Sequence, residues 1–207
     1  GRLVSVPLVD MYEAYQLLDG SWSVISSDLE TIQRDGFSAT KAVDPNMVLK
    51  KKGGTEEEVQ EGWVGRIIPF ELAQKELLYA ELATLKAHED RLAEIASSYE
   101  EELDGLSEED KEADFVNEDK TAFVWPEVKK AIKAKEVEPE VLAVLKKVAA
   151  MNDEEKTLKK QIKDEGTQLH QKTKETIESL TDEQVLTLLE HKWITPLVNA
   201  LNGLPKA

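Results

Sequence analysis

Cysteine is absent from the 207-residue chain, which excludes a disulfide framework and any thiolate metal site. Long apolar runs are missing as well: every one is short and broken by charge, so no segment is expected to span a membrane. The N-terminus, Gly1-Arg2-Leu3-Val4-Ser5, lacks the apolar core of a signal peptide. It also lacks an initiator Met, so the chain is expected to be an excised or processed piece of something longer, working in the cytoplasm. Cations are in deficit, with 26 Lys and Arg against 42 Asp and Glu and a net charge of −16. A free-standing DNA-binding domain is normally basic, because its affinity comes largely from neutralising phosphates. The bulk of this surface is therefore not expected to lie on nucleic acid, although a local basic patch stays open. No phosphate-binding glycine loop is present, since Gly53-Gly54 lacks the spacing and the following helix start. The serines have no nucleophile-elbow context. His88, His170 and His191 lie far apart, and carboxylates are so plentiful that any pair arises by chance. No catalytic, cofactor-binding or metal-ligating residue is assigned in this chain.

What the chain does contain is helical periodicity. The stretches Phe70–Leu103 and Val141–Leu180 carry apolar residues at alternating steps of three and four, as the seam of a coiled coil does. In the first, Leu78, Leu82, Leu85, Leu92, Ala96, Tyr99 and Leu103 form the seam and Glu89 interrupts it. In the second, Val144, Val148, Met151, Leu158, Ile162 and Leu169 do so, with Glu155 and Glu165 intruding. Two such arms in one chain most simply fold back on each other, since each otherwise leaves an apolar stripe wet. The expected fold is mainly α: a long antiparallel helical hairpin, coiled-coil-like, projecting from a small helical head with a short β-hairpin. Residues 1–69 would supply the N-terminal helices and hairpin of the head, 70–180 the arms with an acidic connector at about 104–125, and 181–207 the C-terminal helices that pack on the head.

Within the head, Val9, Tyr12, Tyr15, Leu18, Trp22, Ile25, Leu29 and Ile32 recur at helical spacing. Asp19-Gly20-Ser21 is read as an interruption with Ser21 capping a second helix, and Gly36 as its stop. Trp22 is assigned to the core, with an interface anchor as the alternative. The runs Met47–Leu49 and Val59–Ile68 flank Gly53-Gly54 as a hairpin, with a loop longer than two residues to accommodate Glu56-Glu57-Glu58. Lys50, Lys51 and Lys52 face those acids as the one compact basic cluster, a solvated turn flank by the simpler reading and a phosphate contact by the sharper one. In the connector, Phe115, Val116, Phe123, Val124 and Trp125 are expected to tuck against the arms. Thr181-Asp182-Glu183-Gln184 reads as a capping box, and Gly203 and Pro205 stop the last helix.

Several stretches resemble a known family. These are Arg34-Asp35-Gly36-Phe37 through Pro45-Asn46-Met47-Val48, then Gln60-Glu61-Gly62-Trp63-Val64-Gly65-Arg66-Ile67-Ile68-Pro69-Phe70-Glu71-Leu72. Asn117-Glu118-Asp119-Lys120-Thr121-Ala122-Phe123 follows, and Leu180-Thr181-Asp182-Glu183-Gln184-Val185-Leu186 runs into Lys192-Trp193-Ile194-Thr195-Pro196-Leu197. Together, in this order, they resemble the C-terminal part of the DNA-methyltransferase (modification) subunit of type I restriction–modification systems. The resemblance implies a parent enzyme that transfers a methyl group from S-adenosylmethionine to adenine N6 in duplex DNA. The family's Asn-Pro-Pro-aromatic motif and glycine-containing cofactor loop do not occur here, and Asn46, with a single proline before it and Met47 after it, does not match. The implied partner is the specificity subunit, with the restriction subunit as a further one and DNA reached through the complex. Candidate partner-interface residues are Leu78, Leu82, Leu85, Leu92, Leu158, Ile162, Leu169 and Trp193. Candidate DNA contacts are Lys50, Lys51, Lys52 and Arg66. A self-associating helical coiled-coil adaptor, or an accessory domain touching the DNA backbone, are the alternatives.

Overall fold

A computed structural model of the chain describes residues 11–52 and 54–203. Val9, Gly53 and Pro205, named above, lie outside the described residues. The fold is mainly helical with one small two-stranded antiparallel sheet. In order come α1 (Met11–Asp35), β1 (Val43–Lys52), β2 (Thr55–Gly65), α2 (Phe70–Leu77), α3 (Tyr79–Asp104), α4 (Trp125–Ala134), α5 (Pro139–Glu178), α6 (Asp182–Trp193) and α7 (Thr195–Asn202). Two compact units emerge: one runs through Tyr79 and resumes at Gln168, and the other is Ala80–Thr167. Among the described residues no helix is long and apolar enough to cross a membrane.

In the first unit, α1 is a single helix and not two. Gly20 costs an α-helix roughly 1 kcal/mol relative to alanine, which flanking good formers absorb without a break. Gly36 ends the segment at φ 83°, ψ 170°, a positive-φ conformation open to glycine but not the left-handed helical one expected, and its N–H returns to the Ile32 carbonyl at 2.9 Å. The hairpin is tighter than the sequence suggested. Lys52 pairs with Thr55, so Glu56 and Glu57 fall opposite Lys51 and Lys50 within the ladder and not in a loop. An irregularity between Pro45 and Met47 shifts the register. The core of this unit joins Ile67, Ile68, Phe70 and Ala73 to Ile177, Leu180, Val185, Leu188 and Leu189. Thr181 and Gln184 form the expected capping box, the Thr181 hydroxyl accepting from the Gln184 N–H at 3.2 Å and the Gln184 side chain accepting in return at 2.9 Å.

The expected first arm breaks between α2 and α3 at Leu78, whose backbone sits at φ −122°, ψ 36°. No Gly or Pro marks the break; Leu78 itself is buried at 5% exposure. In the second unit the buried set is Ile95, Leu103, Leu106, Phe115, Val116, Phe123, Val128, Val141, Leu145, Val148, Met151 and Leu158. The connector aromatics are thus part of the core, as their apolar character in a charged setting demanded. Asn117 organises their turn, its Oδ1 accepting from the N–H groups of Thr121 and Ala122 at 2.7 and 2.9 Å. Lys111 and Lys120 offset the surrounding acids, Lys120 reaching Glu112 at 2.5 Å and Lys111 reaching Glu108 at 3.2 Å. The covered row of α3 runs through His88 and Ile95, one residue earlier than the expected Glu89 and Ala96, which are both exposed.

Candidate interaction surfaces

The basic cluster occupies the distal half of β1. Opposite-sign blocks face each other there, Lys50 beside Glu57 and Lys51 beside Glu56, and the Lys50 ammonium also pairs with Glu61. Arg66, at the base of β2, is fully engaged: it donates twice to Asp44, at 2.9 and 2.6 Å, and lies 3.8 Å from Asp35. The guanidinium holds the Asp44 carboxyl below the usual range and is itself held above its own. A phosphate would have to displace these carboxylates from Lys50 and Arg66, so the cluster's sign is locally cancelled. Met47 and Leu49, on the same strand, are 48% and 70% exposed.

Beneath the ribbon, β2 is locked to α5. The Trp63 N–H donates to His170 Nε2 at 2.8 Å, the His170 ring packs 4.8 Å from Phe70, and Lys174 covers the Trp63 ring at 4.4 Å. Two glycines permit this approach. A Cβ on Gly62, at φ 74°, would fall 2.5 Å from His170 Nε2, and one on Gly65 would fall 1.9 Å from the Ile68 carbonyl oxygen. The resulting open cleft of about 480 Å³ is lined by Asn46, Trp63, Arg66, Phe70, His170 and Lys192, among others. Its two cations are held by carboxylates that do not line it, Arg66 by Asp44 and Lys192 by Asp28. Lys192 donates to Asp28 and to the Ile67 carbonyl at 2.6 Å.

Trp193, one of the residues proposed to meet a partner, joins the same anchor through its indole N–H, which donates to the buried Asp28 carboxylate at 2.7 Å. Its task is to tie α6 to α1. The other proposed contacts face inward too. Leu78, Leu158 and Leu169 are buried at 5%, 6% and 5% exposure, while Leu82, Leu85, Leu92 and Ile162 are half-buried. The exposed large apolar side chains are others, among them Tyr15, Trp22, Val24 and Leu29 on α1, Leu186 on α6, and Ile194 and Val198 at α7. The assignment of Trp22 to the core is corrected, for it is 60% exposed. The apolar arc of α1 is wider than the surface that covers it, and Leu18, Ile25 and Ile32 take the covered part. A repeat of seven in Tyr15, Trp22 and Leu29 was visible in the sequence; which half of the arc is covered was not.

The polar intrusions of the second unit are mostly answered, the exception being Asn152, whose buried Oδ1 has no hydrogen-bond partner. His88 Nδ1 lies 2.8 Å from Glu165, the Tyr99 hydroxyl donates to Glu155 at 2.8 Å, and Arg91 forks onto Glu154 at 2.7 and 3.0 Å. Burial, with Glu155 adding to it, pushes the Tyr99 phenol well above its ordinary value. The Lys159 ammonium, helped by that phenol, holds Glu155 below the usual carboxylate range in spite of partial burial. Among the described residues no group of three or more His, Cys, Asp or Glu is disposed to hold a metal ion.

Comparison with protein-family models, with curated proteins and with solved structures finds no match to this chain.

Proposed function

We propose that this chain is the assembly region of a type I restriction–modification DNA methyltransferase subunit, docking on the specificity subunit and contributing no catalytic residue of its own. On this reading α3 and α5 form an antiparallel helical hairpin whose seam is closed by Tyr99–Glu155 and His88–Glu165. Methyl transfer from S-adenosylmethionine belongs to the parent enzyme's catalytic domain, in the cytoplasm. DNA is met through the complex. The observation that carries the reading is the distribution of exposed apolar side chains, a surface suited to helices of another protein. The cancelled charges around Lys50 and Arg66 favour protein over nucleic acid as the first contact. Co-expression with the specificity subunit of a type I system tests it: the two should co-purify through size exclusion. Failure to associate, with both components shown to be folded, would sink the proposal.

A further inference from the structure

Two apolar rows run along α1, and only one of them is used. Leu18, Ile25 and Ile32 recur every seven residues and are half-buried, Ile32 packing on the core of its unit. Tyr15, Trp22 and Leu29 recur at the same interval and are 50%, 60% and 42% exposed. A step of seven is nearly two full turns, so these three stack into a ridge about 21 Å long between first and last Cα, given a rise of about 1.5 Å per residue. Interleaved with the covered row at steps of three and four, the ridge is the outer half of a helix-packing seam. Its composition, Trp at the centre and Tyr at one end, includes the residue types that dominate protein interfaces when truncated.

Charge selects the occupant. Asp19, four residues after Tyr15 and three before Trp22, flanks the ridge, and Glu30 lies one row further out. Neither carries an ion pair among the described residues. Arg34, the cation at the end of the helix, is held by Asp35 at 2.8 and 3.0 Å. A second copy of this chain would bring Asp19 and Glu30 against their own equivalents, like charges that oppose packing. The geometry points to an amphipathic α-helix of a different polypeptide, apolar at seven-residue spacing and flanked by Lys or Arg, docking along Tyr15, Trp22 and Leu29. This rests on the assembly reading above and moves the docking face from the arms to α1.

The test uses the full chain and two synthetic helical peptides, identical in a Leu heptad seam but flanked by Lys in one and by Glu in the other. Calorimetric titration should detect the Lys-flanked peptide and show at least tenfold weaker binding of the Glu-flanked one. Trp22→Ala should weaken the Lys-flanked peptide at least tenfold and Trp22→Phe much less. Leu186→Ala, at a residue 60% exposed on α6, should leave it unchanged. Circular dichroism checks that each variant is folded, and Leu29→Lys supplies a second lesion of the ridge. Equal affinity for both peptides, or full binding by folded Trp22→Ala, would overturn the inference. So would a concentration-dependent dimer abolished by Trp22→Ala, which would make the occupant a second copy. Co-purification with the specificity subunit separates the two proposals. If it survives Trp22→Ala, the assembly reading stands and this placement falls; if it fails for the wild type while the Lys-flanked peptide is captured through Trp22, the reverse holds.

Discussion

The unit spanning Ala80–Thr167 and the unit that surrounds it in sequence treat their apolar residues in opposite ways. All thirteen exposed large apolar side chains, from Tyr12 to Val198, belong to the unit that ends at Tyr79 and resumes at Gln168. The other has none among the described residues. Its buried set draws on α3, α4, α5 and the connector, and each seam carboxylate meets a donor, Glu155 through Tyr99 and Glu165 through His88. Such a unit spends its hydrophobic surface on its own stability. The first unit has a smaller sealed core around Ile67, Ile68, Ile177 and Leu188 and leaves the outer rows of α1, β1 and α7 in water. Exposed apolar surface lowers solubility without adding stability, and the proposed docking on a partner would cover it.

The largest effect is expected where the closed unit is most closed. Leu145, at 0% exposure, truncated to alanine should cost about 3 kcal/mol, because the cavity adds to the lost transfer energy. Chemical denaturation should show the loss, and amide exchange should rise within the Ile95–Leu158 core. A loss spread equally over Ile177–Leu189 would break the comparison. In the open unit the most sensitive point is backbone and not apolar area. Gly65→Ala sets a Cβ 1.9 Å from the Ile68 carbonyl oxygen, which cannot rotate away, and should cost roughly 2 kcal/mol, in the range of overpacked sites. A thermal melt unchanged by that substitution would show that the base of β2 is looser than drawn.

A smaller effect separates the two units by chemistry. Tyr99→Phe removes the donor to Glu155 and should cost about 1 kcal/mol, the ordinary net value of a buried hydrogen bond. The linked pH dependence has a definite sign. Glu155 is depressed in the folded state, first by Lys159 and then by Tyr99. Its contribution is therefore present above the unfolded carboxylate value of about 4.3 and is lost as pH falls through the lower folded value. Glu155→Gln should flatten the acid limb of the stability curve by on the order of 0.5 kcal/mol, small because its first partner, Lys159, is exposed to solvent. A limb as steep as the wild type's would remove Glu155 from the account.

Helix positions, the Thr181 capping box, the Gly36 stop and the hairpin were legible because each rests on local chemistry: spacing, a cap, a positive-φ glycine, two runs of β-formers. Legibility failed wherever two local readings competed. Asp19-Gly20-Ser21 looked like a break because glycine costs helix stability, yet that cost is small beside the continuity of the flanking turns. Leu78 looked like mid-helix, since the break there has no Gly or Pro to announce it. The α3 seam was read through Glu89 and Ala96 when a shift of one residue puts His88 and Ile95 in those places; apolar count alone does not distinguish the registers, and the partner at Glu165 does. The surface was least legible. Leu82, Leu85 and Leu92 recur at helical spacing as Tyr15, Trp22 and Leu29 do, and only the fold tells which row is covered.

The finest test lies at the exposed residues themselves. Leu186 on α6 is 60% exposed and Leu49 on β1 is 70% exposed, so neither removes much apolar surface from water in the isolated chain. Leu186→Ser and Leu49→Thr should each shift stability by less than about 0.5 kcal/mol, the usual limit for surface positions, and should raise the protein concentration at which aggregation begins. Leu49→Thr has a second consequence worth measuring, because a two-stranded ribbon by itself is marginal in water. Threonine retains the β preference of the strand while removing the apolar tip, so the amide protection of β1 should be preserved. If protection is instead lost along Val48–Lys51, Leu49 holds the ribbon together, and the open unit would have to be credited with one fewer residue kept for a partner.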